Sequence, residues 1–280
     1  MDMEILTMDS LDQQVLRKVH ACEEELRKLG SVVVAFSAGV DSTLLLALAV
    51  RALGRQNVLA GIGVSPSLAQ REREQGRRLA EAIGAELVEI ETREMDNPEY
   101  AANPANRCFY CKTDLFGRLK ELAFQREFKA VVSGANADDV GDYRPGLHAG
   151  AKLGVINPLM EAGLSKAEIR RISQALGLPT WDKPAMACLA SRVPYGQSLT
   201  PEKLARIEQA EYVLKDLGFA QCRVRDHDTV ARIEVPADQL ARVVQAAGQI
   251  FPALKNLGYA YVTVDLEGFR SGSMNETLVT

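Results

Sequence analysis

The chain is short of positive charge, long apolar runs, cysteine and histidine, and each shortage narrows what it can do. A formal charge of −4 and a pI near 5.6 lack the electrostatic footprint of a protein that mainly holds nucleic acid, so no nucleic-acid partner is expected. No run approaches the roughly 18 consecutive apolar residues of a membrane span, so no membrane partner is expected either. The opening Met1-Asp2-Met3-Glu4-Ile5 has no basic segment leading into an apolar one, which sets the expectation of a cytoplasmic protein. Five cysteines is an odd number, and in a reducing compartment thiols are expected to serve metal binding or catalysis rather than disulfides. The three histidines, His20, His148 and His227, show no His-x₃₋₅-His spacing, which argues against a zinc site.

What the chain does have is apolar material. With 280 residues, 47% of them hydrophobic, it can bury one large core or two modest ones, and two domains is the better expectation at this length. After a charged helical lead-in over 11–29, Val32-Val33-Val34-Ala35-Phe36 reads as a fully buried parallel strand, and an apolar helical run follows from Leu44 to Leu53. Further strands are predicted at 58–64, 87–90, 131–134 and 155–158, with helices between them at 68–83 and from Cys108 to about Phe124. This alternation implies an α/β fold with a doubly wound parallel sheet. Ser165 caps a helix over 166–176 with Glu168 at the capping-box position, and Gly177 ends it. The Asn-, Pro- and Ala-rich stretch 95–107 is a long loop of the kind that carries function.

The first domain is expected to span 1–180. A proline-rich segment over 181–200 reads as a crossing loop near the active site. From Pro201 the pattern restarts: helix 202–217, paired strands at 221–225 and 231–235, helix 237–249 and a last strand 259–266 make a smaller α+β C-terminal domain over 201–280, expected to bind substrate.

Chemistry concentrates in Ser37-Ala38-Gly39-Val40-Asp41-Ser42-Thr43, between the first strand and its helix. A glycine-containing turn into a helix N-terminus presents backbone N–H groups to an anion, which is the physical basis of phosphate binding. Gly39 allows close backbone approach, the Ser37, Ser42 and Thr43 hydroxyls can donate to phosphate oxygens, and Asp41 can hold a magnesium ion. No Gly-Lys-Ser/Thr follows, so this is not a Walker A loop.

This string resembles the loop of the PP-loop ATP-pyrophosphatases, of the adenine nucleotide alpha hydrolase-like fold, whose signature is Ser-Gly-Gly-x-Asp-Ser; here Ala38 stands for the first glycine. The resemblance implies AMP-forming chemistry with loss of pyrophosphate, and ATP contacts from Ala35, Ser37, Gly39, Asp41, Ser42, Thr43, Ser65, Gly134, Asn136 and Asp138. Three strings narrow it further: Arg107-Cys108-Phe109-Tyr110-Cys111-Lys112, the run 136–146, and the run 184–196 around Cys188. Together with 268–276 they resemble the LarE sulfur transferases. That resemblance implies adenylation of the carboxylates of a pyridinium dicarboxylate mononucleotide and their conversion to thiocarboxylates for a nickel-pincer cofactor.

The family's donor cysteine falls on Cys188, and a cation such as Arg192 favours its thiolate. Cys108 and Cys111 with Cys188 give three ligands and one open position, which suits a 4Fe-4S cluster able to carry an extra sulfide. Sulfur from the cluster and sulfur from Cys188 itself both stand at this point, and a redox dithiol, half a zinc site or two ordinary cysteines at a helix start compete for the pair. Cys22 and Cys222 read as structural. Arg223 and Arg225 alternate on one strand and so face one side, where they can grip the substrate phosphate. The resemblance suggests divalent-metal contacts for Glu211 and Glu234. A homo-oligomer is expected. The rivals are a PP-loop tRNA thiolation enzyme, an ammonia-dependent amide synthetase and a non-catalytic nucleotide-binding module.

Overall fold

The computed structural model describes residues 7–8, 11–140, 145–184 and 187–270. They form two compact units. The first comprises the described residues up to Ser65, then Gln70–Arg93, then those from Cys108 to Pro184; the second comprises Pro66–Ala69, Glu94–Arg107 and the described residues from Ala187 onward.

In the first unit, helix α1 (Gln13–Leu29) leads into strand β1 (Val32–Ala35), helix α2 (Val40–Leu53) and strand β2 (Val58–Val64). Helix α3 (Gln70–Ile83) and strand β3 (Glu86–Glu91) follow. The four strands run parallel in the order β3-β2-β1-β4, with β4 at Ala130–Ser133. Alternate residues of β1 serve opposite cores. Val32 and Val34 pack with apolar residues of α1 and α2, while Val33 and Ala35 pack with Phe116, Leu119 and Ala123 on the other face. A strand buried on both faces reads as an unbroken apolar run, which is why Val32-Val33-Val34-Ala35 carries no polar alternation. The helix covering that second face, α5, spans Arg107–Gln125, and α6 (Pro145–Lys152), α7 (Pro158–Glu161) and α8 (Lys166–Ala175) complete the unit. Ser165 and Glu168 form the expected reciprocal capping box at α8.

The chain moves outward from β1 to β2 to β3 and then returns to β4 on the other side of β1. Such a reversal opens a crevice at the C-terminal ends of the two diverging strands, where ligands of α/β sheets bind. The segment 155–158 does not become a fifth strand. It contributes one parallel bridge, Val132 to Ile156, because Pro158 has no N–H to extend the ladder and opens α7 instead.

The second unit holds a three-stranded sheet in the order β5-β6-β7, from Arg223–His227, Val230–Glu234 and Tyr261–Val264. β5 and β6 are antiparallel and β6 and β7 parallel. Helix α9 (Pro201–Asp216), capped by Thr200, packs on this sheet around Leu214, Phe219, Val224 and Ile233. The single helix expected over 237–249 is instead a 3₁₀ turn, Ala237–Gln239, then α10 (Leu240–Gln245) and α11 (Ala247–Asn256). Ala246, with ψ of 4°, breaks the helical path between the last two. The stretch 95–107 holds the short helix α4 (Pro98–Ala101), capped by Asn97. Among the described residues no helix is long and apolar enough to cross a membrane.

Candidate active site

In the first unit the loop between β1 and α2 is built as an anion seat. Gly39 is the N-cap of α2 and brings no side chain to satisfy the helix's first N–H groups, which are left for a ligand. The Ser42 hydroxyl holds the turn: it accepts from the Ser37 N–H at 3.2 Å, donates to the Gly39 carbonyl at 3.2 Å, and lies 3.1 Å from the Ser37 hydroxyl. The Thr43 hydroxyl is buried and has no hydrogen-bond partner among the described residues. An orphaned hydroxyl in the first turn of a helix costs free energy unless a ligand satisfies it.

Ala38 takes φ of 56° with its side chain fully buried, the left-handed conformation that glycine adopts freely. The neighbour that makes room for its methyl is Gly76 of α3, where an added Cβ would stand 3.6 Å from that of Ala38. The Ala38 carbonyl is held by the Lys183 ammonium at 3.1 Å, and Lys183 also donates to Glu72 and Gln75 of α3, each at 2.7 Å. Asp41 is flanked by the Lys166 ammonium, with which it pairs, and by the Asn136 amide at 3.4 Å. Asn136 is fixed in turn by a capping box with Asp139, and Asp138 accepts from the Lys166 N–H at 2.9 Å.

The C-terminal end of β4 approaches the loop very closely. A Cβ at Gly134 would lie 2.9 Å from the Ser42 nitrogen. Loop, Gly134, Asn136 and Asp138 therefore gather where β1 and β4 diverge, with Ala35 at the end of β1 and Ser65 just beyond β2. Lys166 and Lys183 were not foreseen as site residues. Both occupy helix-start or loop positions that apolar periodicity does not mark.

Cys108, exposed, and Cys111, partly exposed, stand one turn apart at the start of α5. Among the described residues no group of three Cys, His, Asp or Glu side chains is assembled as a metal site.

In the second unit Cys188 is exposed and is the N-cap of a 3₁₀ turn, Leu189–Arg192. Its carbonyl accepts from the Ser191 N–H at 2.9 Å, the Ser191 hydroxyl at 2.8 Å and the Arg192 guanidinium at 2.9 Å. Arg192 thus grips the backbone of Cys188 and forms a buried, bidentate pair with Glu211 at 2.8 and 3.1 Å. Burial alone would raise the Glu211 carboxyl, but Arg192 outweighs it and the net displacement is downward. Arg225 makes a second buried bidentate pair, with Glu234 at 2.9 and 2.7 Å, and reaches the Ser191 carbonyl at 2.8 Å. Arg223 donates to the Cys222 carbonyl at 2.8 Å and stacks over Phe269, 5.2 Å from its centroid. Burial, then the charge of Arg192, push Arg223 down to about 10. Here Glu211 and Glu234 direct their carboxylates to arginines, and Arg192, Arg223 and Arg225 form a cationic cluster beside the Cys188 loop.

A glycine-capped loop after β1, facing the end of β4 in a parallel sheet, defines a PP-loop nucleotide-binding protein. Comparisons with known proteins agree. A profile of the NAD synthase family matches residues 12–109. Over 253 residues, 90% of this chain, it is 46% identical to the uncharacterized protein slr1717 of Synechocystis, covering 94% of that protein. It is 38% identical over 253 residues, again 90% of this chain and 92% of the relative, to the pyridinium-3,5-bisthiocarboxylic acid mononucleotide synthase of Lactiplantibacillus plantarum. Similarity to an NH₃-dependent NAD⁺ synthetase of Pelodictyon phaeoclathratiforme is 27% identity over 161 residues, 55% of this chain and 57% of that one. The chain belongs to the LarE-type, pyridinium-3,5-bisthiocarboxylic acid mononucleotide synthase family of the PP-loop superfamily.

Proposed function

We propose that the protein is an ATP-dependent, cytoplasmic sulfurtransferase that adenylates the carboxylates of a pyridinium dicarboxylate mononucleotide and converts them to thiocarboxylates. The observation that carries this reading is an exposed thiol, Cys188, on a loop whose carbonyls are gripped by a buried arginine, in a chain that also carries an uncapped PP-loop helix start. In the first half-reaction a substrate carboxylate oxygen attacks the α-phosphorus of ATP, and pyrophosphate departs onto the free N–H groups of α2 and the Thr43 hydroxyl. Asp41 would hold the Mg²⁺ that accompanies ATP, and Lys166, its present partner, then becomes free to meet phosphate oxygens.

In the second half-reaction the Cys188 thiolate attacks the acyl-adenylate carbon and AMP leaves, forming a thioester. Loss of the Cys188 Cα proton and cleavage of its Cβ–S bond release the thiocarboxylate and leave dehydroalanine. Arg223 and Arg225 bind the substrate phosphate, and Glu211 and Glu234 keep the arginine cluster in register.

Replacing Cys188 by Ala tests the reading. Pyrophosphate release that persists while thiocarboxylate formation stops supports it, and sulfur transfer by the variant contradicts it. The two accessible thiols at the start of α5 favour a second reading, a 4Fe-4S cluster that delivers sulfide and spares Cys188. Anaerobic purification with iron analysis and intact mass after turnover separates the two, since only the sacrificial route lowers the protein's mass by one H₂S.

A further inference from the structure

We propose that Asn103, together with Arg107, is a positioning residue that sets the geometry of the Cys188 loop; this rests on the sulfur-transfer reading above and deepens it. Asn103 is fully buried at φ of 55°, a left-handed conformation that asparagine tolerates better than most residues. Its side-chain amide donates to the carbonyls of Val193 at 3.2 Å and Pro194 at 2.8 Å, and its own carbonyl accepts from the Gly196 N–H at 3.0 Å. The amide oxygen accepts from the Arg107 guanidinium at 2.8 Å, and that guanidinium lies over the Tyr195 ring, 4.8 Å from its centroid. Four consecutive residues of the loop, Val193 to Gly196, are thus tied to one asparagine and its arginine. On either side the loop is pinned again, by Leu189 N–H to the Ser67 carbonyl at 3.0 Å and Leu199 N–H to the Ala101 carbonyl at 2.8 Å.

Stability does not explain Arg107. It is only 5% exposed, makes no ion pair with a carboxylate among the described residues, and its Nε has no hydrogen-bond partner there. A buried cation without a counter-charge costs stability, which the hydrogen bond to the Asn103 amide oxygen and the stacking on Tyr195 offset only in part. What the guanidinium supplies is orientation: it aims the Asn103 amide so that both N–H groups face the loop. A thiol that must reach an acyl carbon along one trajectory depends on such placement, where an error of about 1 Å costs on the order of 10²-fold in rate.

The test uses Asn103→Gly, which keeps the left-handed turn without strain and deletes only the tether, and Arg107→Met, which removes the aiming charge. In the full-length enzyme both variants are expected to release pyrophosphate at the wild-type rate, to transfer sulfur roughly 10- to 100-fold more slowly, and to exchange amide hydrogens faster over 187–199. Arg107→Met removes the uncompensated charge but also the partner of the Asn103 amide oxygen, so its melting temperature is expected to stay close to that of the wild type. Wild-type sulfur transfer by Asn103→Gly, unchanged exchange over 187–199, or equal loss of both half-reactions would each overturn the proposal. A wild-type protein that transfers no sulfur sinks the functional reading instead, and the exchange measurement still reports on the tether.

Discussion

Gly134→Ala tests the nucleotide seat at its tightest point. Gly134 does not lie in the left-handed region, so only space decides the outcome. A Cβ there would meet the Ser42 nitrogen at 2.9 Å, the Asp41 carbonyl carbon at 3.1 Å and the Ser42 Cα at 3.1 Å. All three are backbone atoms and none can rotate away. Taking 3.4 Å as ordinary contact, the shortfall is 3.4 − 2.9 = 0.5 Å, which the start of α2 must yield. Overpacking of this kind costs about 1–3 kcal/mol. At roughly 2–4 °C per kcal/mol, the melting temperature falls by roughly 2–12 °C. If about 1 Å of misplacement costs 10²-fold, half of it costs about tenfold in pyrophosphate release. Gly117→Ala is the control: nothing lies within 4 Å of its added Cβ, and a helix interior gains about 0.5–1 kcal/mol from alanine. Differential scanning calorimetry and a coupled pyrophosphate assay read both quantities. A Gly134→Ala enzyme with wild-type stability and rate would refute the close approach.

Arg225→Met removes the bidentate partner of the fully buried Glu234; because Arg232 remains 3.3 Å from that carboxylate, urea titration should show a loss of about 3 kcal/mol, the low end for a broken buried pair, most of it recovered by adding Glu234→Leu. Burial pushes the Cys22 and Cys222 thiols up to about 12, so iodoacetamide should label Cys108, Cys111 and Cys188 in the native protein and spare those two until it unfolds. Hydrogen bonds from Arg73 and Arg77 hold the Glu89 carboxyl near 2 against an ordinary 4.5. Its contribution is therefore complete above 4.5 and lost as pH falls toward 2, and Glu89→Gln should flatten that part of the acid-unfolding curve.

The parallel sheet was legible because burial on both faces leaves a plain mark: β1 is an unbroken apolar run followed by a loop with a glycine and hydroxyls. The α8 cap was legible too, since Ser165 and Glu168 interact across three residues. Elements whose limits depend on a single backbone angle were not. Apolar residues at 155–156 promised a fifth strand, but Pro158 ended the ladder after one bridge. A helical pattern hid the break at Ala246. At the site, the loop string and the alternation of Arg223 and Arg225 stood out in sequence. Their partners did not: Asn103 reaches Pro194 across 91 positions, and Lys183 reaches Ala38 across 145. Periodicity records which face of an element is apolar, and polar tethers between distant loops leave no such trace.

On the proposed function, one chain performs both adenylation and sulfur transfer on a dicarboxylate mononucleotide, with Cys188 as the sulfur donor. The direct measurement incubates the anaerobically purified protein with Mg-ATP and that substrate, then follows pyrophosphate, AMP and thiocarboxylate together in wild type and Cys188→Ala. Wild type should yield all three products, and the variant pyrophosphate without thiocarboxylate. Amide formation from added ammonia in place of thiocarboxylate, or thiocarboxylate from the Cys188→Ala protein, would contradict it.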